Sequence, residues 1–267
     1  MNPAEVAAEV LHIDASAILK VERIKGGLTN ESWVVRAAAQ VVVVRLSTIH
    51  EQVLQIDRAN EAATLAVADK AGIGAEVLLC APERRLLVTR YIQGRTWTSR
   101  DARTLENIRR IAQLLQRLHA LEVPPEIQPL DLQRVLSGYW RVLMEKGAAT
   151  RVGTAAQRDR ATTIAGASAR TAPACLCHND VHHLNIIDTG RLRLVDWEYA
   201  GLGDPFFDLA SLCSYHGFNE ELKTRLLREY LGAAPAAAME RLQQMCWLFD
   251  YIRDLWFAVR EIQSVQG

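Results

Sequence analysis

The spacing of apolar side chains changes character near residue 90. Ahead of that point, Val6, Val10 and Leu11 fall on one side of a turning backbone and predict a short helix over residues 3 to 12. Strand-like runs follow: Val21-Glu22-Arg23-Ile24, Trp33-Val34-Val35 and Val41-Val42-Val43-Val44-Arg45-Leu46, the first two joined through Gly26-Gly27. Glu51 to Ala71 then predicts a helix, because at about 100° per residue Leu54, Glu61, Leu65 and Ala68 share one face. Gly72-Ile73-Gly74 ends it, and Val77-Leu78-Leu79 and Leu86-Leu87-Val88-Thr89 add strands around the Ala81-Pro82 turn. Beyond residue 93 the period is helical. Leu105, Ile108, Ile111, Ala112, Leu115 and Leu118 keep it up to Pro124-Pro125, and a further helix is expected around Leu132 to Met144. A polar stretch rich in Ala and Arg runs on to about residue 170 with no assignable chemistry, and the chain from about Pro235 to Gln263 returns to apolar helical spacing. These patterns predict an α+β fold of two lobes, residues 1–92 and 93–267. The first is a small antiparallel sheet with one main helix, and the second is larger and mostly helical.

Two short strands interrupt the helical half. Ile186-Ile187 and Leu192-Arg193-Leu194-Val195 flank Asp188-Thr189-Gly190-Arg191, a turn signal, and folding that hairpin brings Asn185 close to Asp196. A carbonyl and a carboxylate so placed suit Mg²⁺, which takes oxygen ligands and binds through one or two carboxylates together with substrate phosphates. Asp180, in the loop before the hairpin, can reach past the metal to accept a hydroxyl proton, so the set reads as phosphoryl transfer. A single loop Asp is more commonly a cap or turn residue; three at this spacing argue for chemistry. Arg45 ends the most apolar run and needs a partner, for which Glu61 on the following helix is the candidate, although Glu61 has an alternative in an intrahelical pair with Arg58. Gly26-Gly27 is either a plain hairpin turn or a loop whose N–H groups approach phosphates. His182 and His183 form a metal-like pair, but adjacent loop side chains point apart and the ligands expected here are oxygens.

Composition narrows the class. With 31 basic and 31 acidic residues in 267, there is no electrostatic footprint for nucleic acid. Five cysteines without a disulfide rhythm fit a reduced protein; Cys175 and Cys177 read as buried thiols or, less simply, half of a metal site. The N-terminus lacks the regions of a signal peptide, and no run reaches the ~18 apolar residues of a membrane helix, so a cytoplasmic protein without membrane insertion is expected. Trp247, Tyr251, Trp256 and Phe257 lie beside Asp250 and Asp254, which is either a core stripe or the lining for a cationic alcohol.

His178-x-Asp180-x-x-x-x-Asn185 followed by Asp196 resembles the signature of the choline kinase and aminoglycoside phosphotransferase superfamily, relatives of the protein kinases. Cys-His-Asn-Asp at 177–180 is similar to choline and ethanolamine kinases, and Asp196-Trp197-Glu198-Tyr199-Ala200 to choline and thiamine kinases. The resemblance implies a protein-kinase-like bilobal fold, with ATP and Mg²⁺ between the lobes and the γ-phosphate passed to a small, cationic alcohol. It implies Asp180 as the base, Asn185 and Asp196 as metal ligands, and Gly26, Gly27, Asn30, Arg45, Glu61 and the backbone of Tyr91 and Ile92 at the nucleotide. Arg45 stands where protein kinases use Lys, as in choline kinases. His119 and Asp208 are structural, Asp208 bracing the catalytic loop. Glu198, Tyr251 and Trp256 are expected at the acceptor. Two departures leave room for thiamine: Val259 stands where the choline box has a second tryptophan, and the chain stops at Gly267, before the extra segment of many choline kinases. Rival readings are an aminoglycoside or sugar-like kinase and, from another class, a silent nucleotide-binding protein on this scaffold. GTP as donor is not excluded, and the chain is expected to be a monomer or homodimer.

Overall fold

The computed structural model describes residues 1–25, 29–47, 51, 53–171 and 174–264. Helix α1 (Pro3–Leu11) is capped by Asn2 and precedes strands β1 (Ile18–Arg23), β2 (Asn30–Ala37) and β3 (Val41–Ser47). Helix α2 (Arg58–Lys70), β4 (Val77–Ala81) and β5 (Leu86–Arg90) complete an antiparallel sheet ordered β1-β2-β3-β5-β4. Strand alternation divides its residues between two environments. Val35, Val42, Val44, Leu86 and Val88 pack with Val6 of α1 in one core. Their neighbours Val34, Val43, Arg45, Leu87 and Thr89 face a cavity on the other side.

The helix expected from residue 51 begins only at Arg58. Asp57 is the reason, since its side chain accepts from the N–H groups of Ala59 (2.9 Å) and Asn60 (3.0 Å) and so fixes the N-cap there. Leu54 is nonetheless buried, reached through a turn rather than along the helix.

The chain leaves the sheet through Gly94, where a Cβ would sit 2.7 Å from the Asp188 carbonyl oxygen, and enters β6 (Arg95–Thr96). Helices α3 (Leu105–His119), α4 (Leu132–Glu145) and α5 (Ala155–Thr171) follow. Helix α5 is where no element was assigned from sequence; its Ala161 and Ala165 are buried small side chains in a polar stretch. Strand β7 (Cys175–Cys177) pairs with β10 (Gly201–Gly203), while β8 (Ile186–Asp188) and β9 (Leu192–Leu194) form the expected hairpin beside β6. Helices α6 (Pro205–His216), α7 (Glu220–Leu231) and α8 (Ala236–Ser264) complete the larger part. Its core also takes in Leu54, Leu65, Ile73 and Leu87, which precede residue 92. Helix α2 is tied to this part directly: Asn60 donates to the Ala200 carbonyl (2.8 Å) and accepts from Gln128 N–H (2.7 Å), and Leu194 N–H donates to the Ile73 carbonyl (2.8 Å). No helix among the described residues is long and apolar enough to cross a membrane.

Candidate active site

The loop between β7 and β8 is held from behind by one face of α6. Asp208 accepts from the N–H groups of His178 (3.0 Å) and Asn179 (2.6 Å), and Ser211 accepts from Val181 N–H (3.0 Å). Tyr215 donates its hydroxyl to Asp180 Oδ1 (2.9 Å). His119 supports the brace with Nε2 at 2.9 Å from Asp208, and His178 donates Nε2–H to the Val195 carbonyl (3.0 Å), which ties the loop to the end of the hairpin. Asn179 adopts φ 65°, a left-handed conformation that Asn tolerates, and this turns the chain toward Asp180.

Asp180, Asn185 and Asp196 all line one cavity of about 770 Å³. The hairpin closes as expected, with Val195 N–H on the Asn185 carbonyl at 3.0 Å. The Asn185 amide nitrogen donates to the Asp180 backbone carbonyl (3.0 Å) and Oδ2 (3.1 Å), which leaves its carbonyl oxygen as the group to offer a cation. Burial pushes the Asp180 carboxyl up, but the His182 imidazole, near its Oδ2 at 3.4 Å, and the Tyr215 hydroxyl outweigh that and hold it below its ordinary value. Asp196 shows the opposite balance. Burial raises it, Arg45 at 3.5 Å opposes, and the charges of Glu61 and Asp180 raise it further.

Arg45 cannot give Asp196 its whole charge, because it forms a two-bonded pair with Glu61 (2.6 and 2.7 Å). Arg58 joins the network, bonding Glu61 (2.7 Å), Glu198 (3.2 Å), Glu51 (2.9 Å) and the Asn30 side-chain oxygen Oδ1 (2.9 Å). Both readings of Glu61 from sequence are therefore realised at once. Glu198 lines the cavity, and its oxygens accept from Thr29 (2.6 Å) and Asn30 (2.7 Å) as well as Arg58, so it anchors the start of β2. Burial and the neighbouring Asp196 push it up to about 7.

Tyr91 and Ile92 line the cavity, and Tyr91 N–H is bonded to the Val41 carbonyl (3.0 Å). Gly26 and Gly27 lie outside the described residues. Trp256 lines the cavity and donates Nε1–H to the Tyr199 hydroxyl (2.7 Å). Tyr251 does not line it. Its hydroxyl donates to the Val152 carbonyl (2.6 Å) and accepts from Trp140 Nε1–H (3.0 Å), while its ring stacks on Trp247. His182 and His183 point apart as expected, His182 toward Asp180 and His183 toward His216. The thiols of Cys175 and Cys177 lie 3.7 Å apart, and burial pushes Cys177 well up, which keeps it protonated. Tyr215 and Ser211 were missed from sequence although a signal existed: with Asp208 they fall at i, i+3 and i+7 of one helix face.

A sequence profile of the Phosphotransferase enzyme family matches residues 20–244. The chain belongs to that family. The chain is 25% identical over 241 residues to ethanolamine kinase 2 of Rattus norvegicus, covering 82% of this chain and 62% of the kinase. It spans about three fifths of the length of the curated relatives it matches. Among solved structures, a choline/ethanolamine kinase family protein from Mesorhizobium loti superposes with a TM-score of 0.76 at 30% identity, over 97% of this chain and 86% of that one. LicA in complex with AMP gives 0.73 at 24% identity, over 92% and 85%. The kinase-like fold and the kinship with choline and ethanolamine kinases, both expected from the motifs, hold.

Proposed function

We propose that the chain transfers the γ-phosphate of ATP to the hydroxyl of a small alcohol. The observation that carries this is the convergence of Asp180, Asn185 and Asp196 in one cavity, with Arg45, paired to the buried Glu61, 3.5 Å from Asp196. A relative of the same fold binds AMP, and here apolar Val34, Val43 and Leu194 near Ile92 suit a base. Residues 1–92 serve as the nucleotide lobe and 93–267 as the catalytic and acceptor lobe, in a cytoplasmic monomer or homodimer.

The residues present fit Mg²⁺. Asp196 is a carboxylate whose burial is only partly relieved by Arg45, and Asn185 has its amide nitrogen engaged and its oxygen to offer. When bound there, the ion supplies charge neutralisation on the phosphate oxygens. Arg45 steadies the phosphates, with Glu61 and Arg58 fixing its head. Asp180, kept ionised by His182 and Tyr215, orients the hydroxyl and takes its proton. The hydroxyl oxygen bonds to the γ-phosphorus as the bond from that phosphorus to the bridging oxygen breaks, and ADP leaves. An aminoglycoside acceptor is disfavoured: among the described lining residues the carboxylates are Asp180, Asp196 and Glu198, each with partners in the protein.

The test is ADP release by purified protein with ATP and Mg²⁺ across choline, ethanolamine, thiamine and an aminoglycoside. Asp180→Asn is expected to keep nucleotide binding and lower turnover by roughly 10² to 10⁴. A mutant that turned over normally would remove Asp180 from the mechanism.

A further inference from the structure

Helix α8 carries a fixed positive charge into the acceptor end of the cavity. Arg253 is among the lining residues, and its guanidinium lies over the rings of Tyr215, 5.5 Å from the centroid, and Phe249, at 5.9 Å. Tyr215 is the residue that donates to Asp180. Arg253 therefore stands one aromatic ring away from the carboxylate that takes the acceptor's proton. Two turns further along α8, the Arg260 guanidinium lies over Trp256 at 5.7 Å.

These ring faces are the surfaces that would hold a quaternary ammonium group, and a quaternary ammonium binds by the same attraction to the ring quadrupole that a guanidinium uses. Arg253 already lies over two of these rings from within the cavity, so a cationic acceptor placed on Tyr215 or Phe249 meets like charge. Asp250, which with Asp254 suggested a cationic acceptor from sequence, bonds Arg253 at 2.9 Å. That carboxylate takes one side of a fork bearing five N–H donors, and donors remain for a ligand. Asp196 and Glu198 face Arg45 and Arg58, and Asp180 is engaged at the reacting hydroxyl, so none of the three is placed to hold a cation beside Arg253.

We infer that Arg253 determines specificity and that the acceptor is a small alcohol bearing an anionic group, a carboxylate or a phosphate, in place of a quaternary ammonium. This rests on the transfer reading above and names the substrate class of that same site. The hydroxyl lies at Asp180 and the anion on Arg253, with the Tyr215 ring as the spacer between them.

The experiment compares KM and kcat at saturating ATP for D-glycerate and glycerol 3-phosphate against choline and ethanolamine, in wild type, Arg253→Met and Arg253→Lys. At least one anionic acceptor is expected to show a KM tenfold or more below that of choline, and which one it is separates carboxylate from phosphate. Arg253→Met should raise that KM by about ten- to a hundredfold, the scale of a lost charge-assisted contact, with a smaller change in kcat and no change in the KM for ATP. Arg253→Lys should recover most of it, which distinguishes lost charge from lost folding. A wild-type preference for choline or ethanolamine, or an anionic KM unmoved by Arg253→Met, overturns the inference and leaves the transfer reading standing. If no acceptor promotes ADP release, the transfer reading fails first. Calorimetric titration of both anions into ADP-loaded protein then decides the charge, and Met binding them as well as Arg overturns it.

Discussion

Arg58 is the residue on which the buried charge of the site converges. It touches Glu51, Glu61, Glu198 and Asn30 with only 8% of its side chain exposed. Removing one partner of a buried network leaves the others uncompensated, so Arg58→Met is expected to cost about 3–5 kcal/mol, seen as a lower midpoint in urea. It should also lower activity, since Glu61 would lose one of the two guanidinium groups that hold it against Arg45. Only part of this was legible. Arg58 and Glu61 are three apart on a helix, and their pairing could be read from that spacing. Glu198 lies 140 positions away, and nothing local announces that its oxygens return to Arg58 and to Thr29 and Asn30. Asp180, Asn185 and Asp196 were legible because one loop and one hairpin set their separation. Tyr251 misled because it was grouped with the other aromatics of its helix, whereas Phe249, Ile252, Arg253 and Trp256 share the face toward the cavity and the Tyr251 hydroxyl goes to Val152.

Helix α6 works as a unit: three side chains on one face hold three consecutive parts of the catalytic loop. Asp208→Asn puts an amide NH₂ where two backbone N–H groups need acceptors. A loss of about 1–3 kcal/mol is expected, with kcat reduced and ATP binding retained, measured by turnover and nucleotide titration. The end of the same helix carries a pH dependence. His216 donates Nδ1–H to the Leu212 carbonyl (2.8 Å), and its Nε2 accepts from His183 N–H (3.3 Å), so Nε2 must stay unprotonated. Burial pushes it down from 6.5 to about 4; the Leu212 bond opposes this, while His183, His182 and Arg103 add to it. Between those values the unfolded chain takes a proton that the folded chain refuses. Stability is thus full above pH 6.5 and falls by about 1 kcal/mol per unit as pH drops toward 4. Urea unfolding from pH 7.5 to 4.5 should show this slope, reduced in His216→Gln. At this scale the sequence pattern found the strands and most helices. It misjudged the start of α2 because apolar period alone runs through Asp57, whose capping bonds decide the boundary.

The whole molecule is a sheet and a helical body that share a cavity, and the two compositions were plain from the change in apolar period. How they join was not, because Asn60 to Ala200 and Leu194 to Ile73 are contacts between backbone carbonyls and distant donors that no residue type signals. Ligand binding should stabilise the whole: nucleotide with Mg²⁺ at a hundred times its Kd adds about 2.7 kcal/mol. Asp196→Asn is expected to lose the Mg²⁺-dependent part of that thermal shift, whereas Asp180→Asn keeps it. The bolting of α2 to the helical body has a further consequence. Arg45 and Glu61 are paired, and α2 cannot swing outward without breaking the Asn60 and Arg58 contacts with the larger part. Any displacement of that helix would therefore break two hydrogen bonds and a buried ion pair together.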